Sequence, residues 1–215
     1  MAEQATLEGF NAAALRVGVT GALRSAPLGT EPRTDFTAKY DTEVYHNWGY
    51  LSPDGISIEF DEDTNEYIPW QEMVAVRRDI TKSVKNIQVT LWQFTRDNAA
   101  RFFGVPGGDV TVNEDGTWGF DEEGVPEFMH EQVILDIVDG NRAAKLTLFD
   151  AQITARSGLT IKRDDAIGLQ ITLSSFPAGS EYAAELQGKT TRWLFSENWD
   201  GSGATGGGTT PPVAP

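Results

Sequence analysis

The segment from Trp48 to Trp70 constrains the fold of this chain more than any other stretch. Within it, residues 52–55 (Ser-Pro-Asp-Gly) predict a turn, because proline fixes φ, aspartate bonds to the following backbone and glycine accepts positive φ. Apolar and polar residues then alternate over 56–60, which predicts a half-buried strand. The next residues are acidic, and we expect them to form a long loop between two strands: Asp61, Glu62, Asp63, Thr64, Asn65, Glu66 and Tyr67.

Charge is the strongest global signal. The chain has 17 Lys and Arg against 32 Asp and Glu, a formal net charge of −15. This is the wrong sign for binding nucleic acid through its phosphates. Residues 102–141 contain ten acids and no Lys or Arg. Two interpretations stay open: an acidic surface that keeps the protein soluble, or a surface that must not adhere to DNA, such as the wall of a conduit.

Composition predicts a globular protein that does not enter a membrane. Hydrophobic residues make up 40% of the chain and charged residues 23%, and no apolar run approaches the ~20 residues of a membrane span. The first residues lack the basic start and the apolar stretch of a secretion signal. The sequence contains no cysteine, which excludes disulfides and thiolate chemistry.

Alternation of apolar and polar residues recurs along the chain and predicts an all-β protein. In the clearest strand, residues 82–94, the side chains of Ile87, Val89 and Leu91 share one face. One helix is predicted around residues 97–103, and we expect a β-sandwich or half-barrel with this helix packed across the sheets. Further strands are predicted over residues 16–23, 73–80, 131–138, 142–156, 159–163, 167–176 and 190–196.

The composition also divides the chain into parts. We expect an N-terminal arm without clear periodicity, one β domain, and a flexible tail rich in Gly, Thr and Pro. The β domain contains the long acidic loop and an acidic, Gly-rich excursion with a hairpin turn at residues 113–117. These parts correspond to residues 1–15, 16–199 (with the loop at 61–70 and the excursion at 105–128) and 200–215.

Motifs for catalysis and for cofactor binding are weak. The two histidines, His46 and His130, have no triad spacing, and no Gly-x-Ser-x-Gly elbow accompanies them. Residues 188–190 (Gly-Lys-Thr) imitate the end of a phosphate-binding loop, but a strand is predicted where that loop needs a helix. We therefore predict no catalytic residue, cofactor or metal. The acidic segment lacks the ordered pattern of a calcium loop, although four acids offer oxygen ligands: Glu59, Asp61, Asp63 and Glu66.

The order and spacing of these elements resemble the tail tube protein of long-tailed, siphovirus-type bacteriophages, over roughly residues 16–195. The chain departs from the compact form of that family by its excursion at 105–128. The similar features are the opening strand at 18–23 with the break at 26–30, the turn at 53–55 with the acidic loop and Trp70-Gln71, the strand and helix at 84–104, and the closing strands at 134–153 and 160–173.

This resemblance implies a structural protein of the virion tail, synthesised in the host cytoplasm. Such subunits form hexameric rings that stack into a tube; their inner strands join into one closed β-barrel, and the loop at 61–67 reaches the neighbouring ring. DNA passes through without specific binding, and the implied partners are the tape measure and the tail terminator and tip proteins. Alternate residues of a barrel strand face the lumen, so the candidate lumen residues are Gln88, Thr90, Gln170 and Thr172.

Two functions of other classes stay open at this point. Six tryptophans suit a β-sandwich that binds glycans or a host surface through exposed rings. The many acids suit a hydrolase that uses a pair of carboxylates. The tube hypothesis predicts long stacked assemblies, the binding hypothesis a discrete oligomer, and the hydrolase hypothesis a pocket with two converging carboxylates.

Overall fold

The computed structural model describes residues 12–106, 109–164 and 166–201, so the predicted tail beyond 201 and most of the predicted N-terminal arm lie outside the described residues. A short 3-10 helix at Ala12–Ala14 precedes the strands. The described strands are β1 (Thr20–Ala26), β2 (His46–Asn47), β3 (Leu51–Tyr67), β4 (Arg77–Leu91), β5 (Thr111–Val112), β6 (Trp118–Gly119), β7 (Glu131–Asp139), β8 (Arg142–Arg156), β9 (Leu169–Phe176) and β10 (Thr191–Phe195), and the α-helix is α1 (Arg96–Phe103).

One antiparallel sheet dominates the described residues and confirms the all-β prediction. Its strands follow the order β2-β1-β7-β8-β9-β4-β3, and β10 pairs with the first half of β8. The two ends of this order approach each other, because residues 18–22 and residues 50–56 line one cavity of about 810 Å³. The sheet is therefore curled. The short hairpin β5–β6 lies outside it, with the predicted turn at 113–117 between its strands.

The core fills the concave side of the curled sheet. Cross-strand rows of apolar residues meet there, such as Leu51, Leu91 and Leu169 across β3, β4 and β9 and Leu23 and Leu135 across β1 and β7. Burial of one face of β4 and of β9 is confirmed, since each of the following side chains is at most 2% exposed: Ile87, Val89, Leu91, Leu169, Ile171 and Leu173.

Helix α1 confirms the predicted helix and begins one residue earlier. The Thr95 hydroxyl accepts a hydrogen bond from the Asn98 amide at its start, and Gly104 ends it in the left-handed conformation at φ 68°. Phe102 joins the core. The buried side-chain amide of Asn98 donates to the Trp48 carbonyl at 2.9 Å and to the Gln93 carbonyl at 2.8 Å. These bonds connect the helix to the segments that flank β3 and β4.

Two local predictions around β3 are wrong. Residues 52–55 form a bulge inside β3 rather than a turn before it, with Gly55 at φ 77°; proline is tolerated there because β3 is an edge strand. The prediction of a loop at 61–67 is also wrong, because these residues continue β3. Their backbone groups pair with residues 77–84 of β4, which extends equally far beyond the sheet.

The other strand predictions differ in their boundaries. Residues 159–163 form no strand in the described structure, and the first strand runs over Thr20–Ala26 instead of residues 16–23. The run at 73–80 enters β4 only at Arg77. The closing hairpin is confirmed, with β7 and β8 joined at Gly140 and Asn141.

An ionic cluster lies on the convex side of the sheet, under the segment that joins β1 to β2. Asp136 accepts from Arg24 at 2.5 Å and lies 2.9 Å from the Lys145 ammonium. Tyr40, from the covering segment, donates to Asp136 at 3.1 Å and contacts Lys145. Burial, followed by the nearby Asp136 carboxylate, raises the pKa of Tyr40, so its hydroxyl keeps the proton that it donates.

This cluster makes a prediction about stability. Asp136→Ala should lower the free energy of unfolding by about 3–5 kcal/mol, because it leaves a buried ammonium without a carboxylate; the Lys145 side chain is only 3% exposed. Urea denaturation measures the loss. The matched control is Asp79→Ala, which removes an exposed pair with Arg77 and should cost about 0–1 kcal/mol. Equal losses would show that the cluster contributes no more than a surface pair.

Candidate assembly surfaces

The hairpin of β3 and β4 extends beyond the rest of the sheet. β9 pairs with β4 only over residues 86–91, whereas β3 and β4 stay paired out to Tyr67 and Arg77. We call the projecting part, residues 60–85, the arm. It is a two-stranded ribbon without a third strand in the described structure, and it contains all seven residues predicted as the inter-ring loop.

Charged pairs link the two strands of the arm. Lys82 donates to Asp61 at 2.5 Å, and Arg78 contacts Glu66. The hydrogen bond to Asp61 raises the pKa of Lys82. Because these side chains are exposed, solvent screens their attraction. They fix the register of the hairpin, as opposite charges across strands do, and add little to stability.

The tip of the arm carries an exposed apolar surface. Trp70 and Met73 are each 98% exposed, and they lie in the turn between β3 and β4. Exposed apolar patches of this kind mark interaction sites, since a soluble monomer gains nothing from them. We call this surface the tip patch; it consists of Tyr67, Ile68, Trp70, Met73, Val74, Val76 and Ile80. Sequence reasoning found the first three and missed the rest, which it assigned to a β-like run.

The face of β3, β4 and β9 that points away from the core is polar. The four candidate lumen residues lie together there, because Gln88 pairs with Thr172 and Thr90 pairs with Gln170. Ser157 donates to Gln170 at 2.7 Å. We call this surface the open face. Its other members, given by the same cross-strand register, are Ser57, Glu59, Asp61, Asp63, Lys82, Val84, Asn86 and Ser174. Three acids and one lysine give these residues a net charge of −2.

Free strand edges occur at both ends of the strand order. β3 pairs only with β4 among the described residues, so its outer edge is unpaired along 17 residues. At the other end β2 covers only Arg24 and Ser25 of β1. An uncovered edge of this length is a template for pairing with another chain.

The family of the chain follows from its sequence. Residues 8–191 match the family described as "Phage tail tube protein". The chain belongs to the phage tail tube protein family. It is therefore a structural protein of the bacteriophage virion tail, as the resemblance implied. No curated protein matches the chain.

The solved structures similar to this tail tube protein include chains of three particles. One is a chain of the anti-feeding prophage cap, at 11% identity and a TM-score of 0.42, covering 90% of this chain and 96% of that one. Another belongs to the virion of a native gene transfer agent particle, at 11% identity and a TM-score of 0.35, covering 74% and 93%. The third belongs to the anti-feeding prophage baseplate, at 9% identity and a TM-score of 0.31, covering 80% and 91%.

The two histidines of the tail tube protein contact different side chains. His46 contacts Asn98 of α1 at 3.0 Å, and His130 contacts Asp150 at 2.6 Å. Residues 188–190 lead into β10, so the helix that a phosphate loop needs is not there. The described residues hold no group of three or more His, Asp or Glu arranged to hold a metal. Among them there is also no helix with the length and apolarity to cross a membrane.

Proposed function

We propose that this tail tube protein polymerises as stacked hexameric rings into a tube whose lumen carries DNA. The observation that carries the proposal is the open face. It is polar and net acidic, and it lies on the strand whose outer edge is free to pair with another subunit. The open face would line the conduit, and the free edge of β3 would pair with the next subunit to close it.

Closure of a barrel across the ring is the first step of the proposal. The free edge of β3 in one subunit pairs with the exposed edge at the β1 end of the next subunit. Six repetitions join the sheets into one closed barrel, which removes every free edge. Each subunit keeps its own core on the other side of its sheet, so the open faces line the lumen together.

The lining of that barrel suits DNA passage. Gln88, Thr90, Gln170 and Thr172 present uncharged polar groups, and Glu59 and Asp61 add negative charge. A wide barrel is not filled by side chains, and an apolar wall would contact water at a cost of about 25 cal/mol per Å². A basic wall would bind phosphates. A polar, mildly acidic wall avoids both effects.

The arm provides the contact between rings. Its strands extend beyond the sheet, and its tip patch has no apolar surface to cover it among the described residues. We propose that the tip patch packs on the ring above or below. Head-to-tail contacts of this kind repeat without limit and generate a filament.

The proposal also assigns the other parts of the chain. The β domain at 16–199 builds the ring, and the excursion at 105–128, which contains seven acids, lies on the outer wall. The tape measure protein occupies the lumen before DNA does, and the tail terminator and tip proteins cap the two ends. The tube acts by shape and charge, so the subunit has no catalytic role, no cofactor and no membrane contact.

Negative-stain microscopy of the purified protein tests the proposal. We expect long tubes of stacked rings at high protein concentration, with sixfold symmetry in end-on views. Closed discrete oligomers that never lengthen, at any concentration or ionic strength, would contradict it. Analytical ultracentrifugation of the same samples distinguishes long assemblies from a slow exchange between small oligomers.

A further inference from the structure

A cleft lies at the end of the β3–β4 hairpin opposite to its tip. It has a volume of about 580 Å³ and opens between helix α1, strand β2 and the ends of β1 and β7. Strand β3 begins at Leu51, shortly after β2, and runs to the tip of the arm at Tyr67. Strand β4 returns from the tip to Leu91, shortly before α1. The cleft and the tip patch are therefore separated by nearly the whole length of the hairpin.

The wall of the cleft combines apolar groups with one unpartnered hydroxyl. Val44 and Met129 line the cleft and are 39% and 49% exposed. The buried Ser25 side chain also lines it, and its hydroxyl has no hydrogen-bond partner among the described residues. A buried hydroxyl without a partner costs free energy. The cleft therefore favours an apolar occupant that also carries a hydrogen-bond donor.

The arginines of the cleft favour an aromatic occupant. Arg101 is held by Glu131, which accepts from it at 2.9 and 3.1 Å. The Arg96 side chain lies 3.8 Å from Asp97 and is 49% exposed, so part of its guanidinium is open to another group. Guanidinium groups stack on the faces of aromatic rings.

Trp70 fits these features better than the other aromatic residue of the tip patch. Its ring is apolar, its indole N–H donates a hydrogen bond, and its side chain is almost fully exposed. Tyr67 also has a donor, but its ring lies 5.9 Å from the Arg77 guanidinium of its own hairpin. The volume of the cleft is sufficient, because pockets of ~300–1,000 Å³ hold whole small-molecule ligands.

We propose that Trp70 of one subunit inserts into the cleft of a second copy of the chain in the adjacent ring. This inference rests on the proposed function and adds the surface that receives the tip patch. Strand β3 has 17 residues, which span about 50 Å at ~3.3 Å per residue, so Trp70 lies far from the cleft of its own chain. Two surfaces at opposite ends of a subunit form a head-to-tail contact, which repeats from ring to ring.

The lack of cysteine in the chain permits a test by disulfide cross-linking. Gln71→Cys places a thiol next to Trp70, and Thr42→Cys places one in the cleft. The matched control keeps Gln71→Cys and carries Glu114→Cys in the exposed turn between β5 and β6. Tubes of each double variant are assembled with reductant, checked by negative-stain microscopy, oxidised, and separated on a denaturing gel without reductant.

We expect a ladder of covalent oligomers from the cleft variant, because each subunit bonds to one subunit above it and to one below it. The control should give no ladder beyond dimers. Tubes of the cleft variant that yield no ladder, or an equal ladder from the control, would overturn this inference and leave the proposed function intact. A parent protein that forms no tubes would overturn both.

A second variant tests the cleft without cysteines. Val44→Asp with Met129→Asp places carboxylates on its apolar wall. These substitutions should raise the concentration needed for assembly at least about tenfold, because the contact loses apolar surface. Circular dichroism checks that the variant is folded. Assembly of the folded variant at the concentration that the parent needs would show that the cleft does not receive the tip patch.

Discussion

Trp70→Ser and Met73→Ser together should abolish tube formation and leave a folded subunit. Both side chains are 98% exposed in the single chain, and we propose that they are buried between rings. Burial of such a side chain contributes about 1.5–3 kcal/mol. Loss of two per subunit therefore raises the concentration needed for assembly by about 10²–10⁴-fold. Sedimentation and negative-stain microscopy measure that concentration.

The matched control replaces two other exposed apolar side chains that lie outside the arm. Val125 is 83% and Ile161 75% exposed, so Val125→Ser with Ile161→Ser removes similar surface. We expect this control to assemble as the parent does. If the tip variant and the control assemble alike, the tip patch is not the contact between rings.

A truncated arm tests the same contact without altering any apolar surface of the domain. Phe60 and Lys85 are cross-strand partners, so an Asn-Gly turn can replace residues 61–84. The core residues Ile87 and Val89 remain in place. We expect a folded subunit with unchanged cooperative unfolding and no tubes. Normal tubes from this variant would exclude the arm, including residues 61–67, as an inter-ring element.

Lysines on the open face should make the tube bind DNA. Gln88→Lys and Gln170→Lys lie diagonally on β4 and β9, which avoids like charges directly across the strands. In a hexameric ring each variant subunit adds two positive charges to the wall. Affinity for DNA should then fall by about 10³–10⁵ between 50 and 200 mM salt if 6–10 phosphates are contacted. Binding of a short duplex to assembled tubes, followed across a salt series, measures this.

Two comparisons locate the bound DNA. Nuclease digests a duplex on the outer wall and spares one inside the lumen, so we expect the bound duplex to be protected. The control variant carries Glu122→Lys and Glu123→Lys in the excursion, and its bound DNA should be digested. Gln88→Glu with Gln170→Glu should leave DNA unbound. Unprotected DNA on the lysine variant of the open face would place that face outside the tube.

Local sequence patterns predicted most of the fold. Strands β7 and β8 were predicted because two segments rich in apolar residues flank a turn at Gly140 and Asn141. Helix α1 was found because Gly104 ends it. The strand through residues 61–67 was missed for a physical reason. A ribbon that buries neither face needs no apolar alternation, and its strand structure comes from pairing with residues 77–84, which no local pattern reveals.

The candidate surfaces could be predicted in part. Alternation along β4 and β9 separated Gln88 and Gln170 from the core residues. In the structure β4 pairs with β9, so the four polar residues lie side by side. The sequence predicted only part of the tip patch. Met73 and Val74 were missed because they belong to a turn whose position depends on how far the arm extends. The free edges of β3 and β1 were not predicted, because they depend on the order of strands in the sheet and no local sequence pattern reveals that order.

The most direct measurement of the central claim is a cryo-electron microscopy reconstruction of tubes assembled from the purified protein. We expect stacked rings of six subunits, with Gln88, Thr90, Gln170 and Thr172 facing a lumen of net negative potential. The tip patch should be buried against the adjacent ring. A lumen lined by apolar or basic side chains, or an open face turned to the outside, would contradict the conduit proposed for this tail tube protein.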